Sequence, residues 1–147
     1  MKRMPIAESK NPVALAQLAV TLSGSGPLAG IAPEVIVAVA RAGALLELAA
    51  GEFLVREGEP ATPEVYLLLE GTLGVQSKGS FIAQLDQPGA VIGEVAVVLS
   101  SKRTADVVAE SPVRALAIPV AALGQPEFAD VAAGIRGAML RDDWVHY

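Results

Sequence analysis

Ile92-Gly93-Glu94-Val95-Ala96-Val97-Val98-Leu99-Ser100-Ser101-Lys102-Arg103-Thr104-Ala105-Asp106-Val107 interrupts a series of short strand-like segments, and its reading decides the fold. Val95 to Leu99 is too apolar for an exposed turn and too poorly flanked for another strand pair. It reads instead as a short helix lodged between two strands. Gly93 permits close backbone approach or a positive φ. The N–H groups that follow open the helix without partners inside it, so they form an anion site that the helix dipole reinforces. Arg103 stands ten residues after Gly93. Its guanidinium can return to that corner and grip two phosphate oxygens, and Thr104 can add a hydroxyl. Glu94 would repel a bare phosphate. It suits a ligand that also carries hydroxyl donors, and a ribose 2′-OH beside a cyclic phosphate meets that need.

Working outward, the segments on either side are short and separated by turn residues every several positions. Phe53-Leu54-Val55 precedes Glu57-Gly58-Glu59-Pro60, and Val65 to Leu69 precedes Glu70-Gly71. Leu73-Gly74-Val75 leads into Ser77-Lys78-Gly79-Ser80, a hairpin loop, and Phe81 to Leu85 leads to Pro88-Gly89. Thr104–Ala109 and Val113–Ile118 form a last pair, split by Glu110-Ser111-Pro112. Evenly spaced short strands with turn signals predict an all-β barrel or jelly roll. Helices flank it. Asn11-Pro12 starts one over Val13–Leu22 and Pro33 starts a second, which Gly43 stops. Val120–Leu123 is a short helix, and Pro126 opens a longer one through Asp143, with Phe128, Val131, Ile135 and Leu140 roughly on one face and Ala132 and Met139 nearby. The expected organisation is a polar lead-in over residues 1–10 and one domain over 11–147. Within it, a double-stranded β-helix spans about 45–119 and C-terminal helices span 120–144.

The Gly93–Val107 segment resembles the phosphate-binding cassette of the cyclic-nucleotide-binding domain family, found in catabolite activators, kinase regulatory subunits and cyclic-nucleotide-gated channels. The family pattern is Gly-Glu, a short apolar helix, then Arg, a small residue, Ala and, after one more position, an aliphatic residue. Here it reads Gly93-Glu94 and Arg103-Thr104-Ala105-Asp106-Val107. Gly51-Glu52, Glu57-Gly58-Glu59, Tyr66 to Leu69, Glu70-Gly71 and Gly89 stand where the family has its β-roll landmarks, so the likeness covers about residues 28–140. The resemblance implies that Arg103 pairs with the exocyclic phosphate oxygens and that Glu94, next to Gly93, accepts from the ribose 2′-OH. It also implies that amides near Val95 and Ala96 complete the cradle. Thr104 resembles members that accept cyclic GMP. The family's C-terminal helix moves on binding, which makes Arg136, Met139, Leu140 and Trp144 candidates for a lid over the base. The implied ligand is cyclic AMP or cyclic GMP, and the implied output is contact with a separate protein partner or a homo-oligomer. Ile92 departs from a common aromatic. Within the 147 residues no helix-turn-helix, kinase or channel is expected.

Composition narrows the other classes. The net charge is −5, from 11 basic and 16 acidic residues. That is the wrong sign for a protein that neutralises nucleic-acid phosphates. There is no cysteine, which excludes disulfide frameworks and Cys metal sites and suits a reducing cytoplasm. The one histidine, His146, stands next to the last residue. Zinc sites, His general bases and a Ser-His-Asp triad lose their usual groups, so the chain is expected to carry no metal and no enzyme activity. The uncharged run Asn11–Pro33 is broken by prolines and glycines, so it is not expected to span a membrane. Lys2 and Arg3 before an apolar stretch resemble a leader, but Glu8 and Lys10 interrupt it.

Each residue has a plainer role beside the functional one. Arg103 can be a solvated turn arginine, Glu94 an acid at a helix N-terminus, and the two together an ion pair in a roll that has lost its ligand. That last case, with a mean hydropathy of +0.48, is the alternative of a self-association or protein-interaction module.

Overall fold

The computed structural model describes residues 1–6, 12–24, 26–59, 63–92 and 105–138 of the chain. Helices α1 (Pro12–Gly24) and α2 (Pro33–Ala40) precede most of the strands. Both begin with proline, whose fixed φ suits a first turn and whose missing N–H costs nothing there. Glu34 adds a carboxylate at the positive end of α2. Gly43 turns the chain into the strands. A Cβ there would lie 1.9 Å from the carbonyl oxygen of Ala117, so only glycine lets the backbones meet.

The strands are β1 (Lys2–Pro5), β2 (Ala44–Leu48), β3 (Phe53–Val55), β4 (Glu64–Glu70), β5 (Leu73–Ser77), β6 (Ser80–Leu85), β7 (Val91–Ile92), β8 (Asp106–Ala109) and β9 (Val113–Pro119). They form a five-stranded sheet in the order β1-β2-β9-β4-β7 and a four-stranded sheet in the order β3-β8-β5-β6. Every pairing is antiparallel. The expected mainly-β roll with flanking helices is the architecture observed.

Alternation along the central strands builds two cores from one sheet. Val65 and Leu67 of β4, with Leu116 and Ile118 of β9, pack under the helices against Leu22, Ile36, Val39, Phe128, Val131 and Ile135. Their neighbours Tyr66, Leu68, Ala115 and Ala117 face the other sheet and meet Leu73, Val75 and Val107. Each fully buried aliphatic side chain contributes about 1.5–3 kcal/mol, so the five-stranded sheet, covered on both faces, is the stable floor of the molecule.

Four segments differ from expectation. Lys2–Pro5, expected in a loose lead-in, is a strand. It is held by register rather than by apolar content, with Lys2 opposite Glu47 and Arg3 opposite Leu46. The helix expected from Pro126 is divided into a 3₁₀ turn (Pro126–Phe128) and helix α4 (Ala129–Ala138), after the short helix α3 (Val120–Leu123). The expected continuation to Asp143 lies outside the described residues. Strands β2 and β7 were not expected as separate elements.

Candidate functional site

Gly93, Glu94, Val95, Ala96, Arg103 and Thr104 lie outside the described residues, as do Met139, Leu140 and Trp144. Arg136 belongs to α4 by its backbone. The site is therefore approached from the two residues that frame it. Ile92 ends β7 in the five-stranded sheet, opposite Tyr66, and is 1% exposed. Ala105 is fully buried and precedes β8 in the four-stranded sheet. Both belong to the same inter-sheet core. The twelve residues 93–104 thus leave one sheet and enter the other from two anchored ends. Along the roll face, Ala105, Ala109, Ala115 and Ala117 are all buried in the same core as the larger Leu68, Leu73 and Val75.

A polar clamp holds the exit. Asp106, the first residue of β8, accepts the backbone N–H of Glu57 on Oδ1 at 2.7 Å. Glu57 in turn accepts the Ser77 hydroxyl at 2.6 Å and the Lys78 N–H at 2.9 Å. The Ser77 hydrogen bond, then that of Lys78, holds the Glu57 carboxyl below its usual range. Gly58, with φ +84°, turns the chain beside it. The sequence marks Glu57 and Gly58 as turn landmarks but carries no sign of their part in fixing β8, because the bond to Asp106 joins residues 49 apart.

On the other sheet, Arg3 donates both terminal nitrogens to the Glu64 carboxylate, one at 3.1 Å. This pairing raises the already high pKa of the guanidinium. Glu64 and Tyr66 alternate with Val65 on β4 and share its roll face. Tyr66 is 5% exposed and belongs to the core there.

The helices reach the same region through close backbone contacts. A Cβ on Gly134 of α4 would lie 2.2 Å from the carbonyl oxygen of Pro27, in the 3₁₀ turn Gly26–Leu28. A Cβ on Gly26 would lie 3.5 Å from Gly89, in the loop that feeds β7. Helix α4 thus rests closely on the turn, and the turn lies in contact with the loop before β7.

Elsewhere, a groove of about 620 Å³ opens where the strands cross between sheets, lined by Lys2, Glu47, Glu52, Glu70 and Arg114 among others. Register sets Lys2, Glu47, Arg114 and Glu70 side by side across four strands. The charges alternate in sign, as suits a solvated ladder rather than an anion site. Among the described residues, no group of three or more His, Cys, Asp or Glu could hold a metal ion. No described helix is long and apolar enough to cross a membrane.

The profile of the cyclic nucleotide-binding domain matches residues 45–125. No curated protein matches the sequence. Among solved structures, the chain is similar to a cyclic nucleotide-binding domain from Methylobacillus flagellatus (TM-score 0.72, 17% identity, 86% of this chain and 76% of that one). It is similar to the regulatory subunit of a cAMP-independent protein kinase A from Trypanosoma brucei (0.71, 18%, 89% and 48%). It is also similar to a cAMP-binding acyltransferase from Mycobacterium smegmatis (0.62, 29%, 84% and 40%). The chain spans about half the length of the first solved structures it matches.

Proposed function

The chain belongs to the cyclic nucleotide-binding domain family, and from that premise we propose that it is a cytoplasmic regulatory sensor that binds cyclic AMP or cyclic GMP. The observation that carries this is the order Gly93-Glu94 then Arg103-Thr104-Ala105 inside the matched segment, framed by two buried residues on opposite sheets. Arg103 grips the cyclic phosphate, with Thr104 and the amides of Val95 and Ala96. Glu94, beside Gly93, takes the ribose 2′-OH. The acyltransferase named above is a cAMP-binding protein at 29% identity, which favours cyclic AMP. The kinase subunit from Trypanosoma brucei is cAMP-independent, so the roll alone does not fix the ligand.

In this reading the work of the domain is binding, with the phosphate held by Arg103 and the cassette amides. Output follows from the stacking of α4 on Pro27 and of Gly26 on Gly89. A ligand that prefers one position of the loop after Gly89 favours one position of α4, and it shifts the equilibrium only by that difference in affinity. Arg136, Met139, Leu140 and Trp144, on or after α4, are the residues such a shift would bring toward the base, and a separate protein partner would read the change. No observation on the described residues supports a roll that has lost its ligand.

Calorimetric titration of the native protein with cyclic AMP and with cyclic GMP tests the proposal. Saturable heat with at least one is expected. Absence of heat with both would set it aside.

A further inference from the structure

β1 brings one ion pair onto a floor that is otherwise uncharged. On the five-stranded sheet, Leu46, Ala115, Tyr66 and Ile92 face the roll. Arg3 is level with Leu46 on that face, and Glu64 shares it with Tyr66. Among the described strand residues of this sheet, Arg3 and Glu64 are the only charged side chains on the roll face. Lys2, Glu47, Arg114 and Glu70 are in register with one another on the opposite face. Strands β2 and β9 stand between β1 and β4, so the bidentate Arg3–Glu64 pair runs across the floor of the roll. The Glu64 side chain is only 13% exposed, so water would screen its charge poorly if Arg3 were removed.

The direction of β7 places this pair beside the connection to β8. β4 and β7 are antiparallel, with Leu67 opposite Val91 and Tyr66 opposite Ile92. The chain therefore leaves β7 toward the Glu64 end of β4. Glu64 is two residues, about 7 Å, past the Tyr66–Ile92 pair, and adjacent strands are about 5 Å apart. By that spacing its Cα stands about 8–9 Å from the Cα of Ile92, the residue before Gly93. This is on the order of one Debye length at physiological salt.

A pair as open as this one adds little stability. Its charge balance matters more. With both partners present the floor is neutral. Without Arg3, a poorly hydrated carboxylate faces the roll next to the segment proposed to hold a phosphate, and like charges repel. We propose that Arg3 is a counter-charge for nucleotide binding, neutralising Glu64 so that an anionic ligand can settle on the roll face. The inference rests on the sensor reading above and adds to it a residue of the first strand, outside the matched segment 45–125.

Calorimetric titrations with cyclic AMP and cyclic GMP test it, on the native protein, on Arg3→Met and on Arg3→Met with Glu64→Gln, at about 0.02 M and about 0.5 M salt. Between the effective dielectric of a protein surface and that of water, a unit charge at this range changes affinity by roughly two- to tenfold. Arg3→Met should bind more weakly by that factor at low salt, and the loss should shrink at high salt. The double variant, whose floor is neutral again, should return to native affinity. The inference is overturned if Arg3→Met binds as the native protein does. It is equally overturned if the double variant is as weak as the single one, since the loss would then come from a displaced β1 and not from charge. A native protein that binds neither nucleotide overturns the sensor reading and this inference with it, whereas the two variant outcomes overturn this inference alone.

Discussion

The backbone N–H of Glu57 donates to Asp106 Oδ1 at 2.7 Å and ties the turn after β3 to the first residue of β8. Asp106 is three residues beyond Arg103, so this bond sets where the strand after the proposed phosphate cassette begins. Asp106→Ala is expected to cost about 1–2 kcal/mol, since the acceptor is charged and only partly buried. It should also weaken cyclic-nucleotide binding several-fold. Urea unfolding and a nucleotide titration of the same variant check both. Unchanged affinity would show that the clamp does not position the cassette.

Glu57 also confers pH dependence. Its folded carboxyl sits below the ordinary value of 4.5, chiefly because of the Ser77 hydroxyl. A depressed folded pKa gives stability that is present above the unfolded value and is lost as pH falls through the folded one. Glu57→Gln is therefore expected to lower the melting temperature near neutral pH, and the gap between native and variant should close below about pH 4. Melting curves from pH 3 to pH 7, in about one-unit steps, check this. A gap that persists at acid pH would contradict it.

Two glycines of α4 should respond to alanine with opposite sign. At Gly134 the new Cβ would lie 2.2 Å from the Pro27 carbonyl oxygen, whereas at Gly137 nothing lies within 4 Å. Gly134→Ala should destabilise by about 1–3 kcal/mol, as overpacking does. It should also change nucleotide affinity, because it pushes the helix from the turn it rests on. Gly137→Ala should stabilise by up to about 1 kcal/mol through helix propensity. Thermal melts and titrations on both variants are the check, and equal effects would mean that α4 does not seat on the turn.

The Arg3–Glu64 pair joins β1 to β4, with Arg3 about half exposed. Solvent screening limits such a pair to about 1 kcal/mol or less. Arg3→Met should lower stability by no more than that, and the difference should shrink in high salt. A larger, salt-independent loss would mean that β1 is fixed by other contacts.

What the sequence made legible follows from where its signals are local. β3, β4, β5, β6, β8 and β9 are bounded by Gly, Pro, Ser and Asp turns, and these boundaries appear in the chain order itself. Lys2–Pro5 carries no such signal, because its strand exists only through pairing with Ala44–Leu48. Val91–Ile92 is too short for any periodicity to show. Of the proposed site, Gly93, Glu94, Arg103 and Thr104 rest on residue type and spacing alone, since they lie outside the described residues. The Glu57–Asp106 clamp and the Gly134–Pro27 contact were not legible, since each joins residues brought together only by tertiary packing.

The central claim rests on the guanidinium of residue 103. Matched calorimetric titrations of the native protein and Arg103→Ala, with the preferred nucleotide and with melting temperatures recorded for both, test it most directly. Two charge-assisted hydrogen bonds of about 1.5–3 kcal/mol each are lost, so affinity should fall by about a hundredfold or more while the melting temperature of the unliganded protein stays near native. Equal affinity in the two proteins would contradict a phosphate held by Arg103.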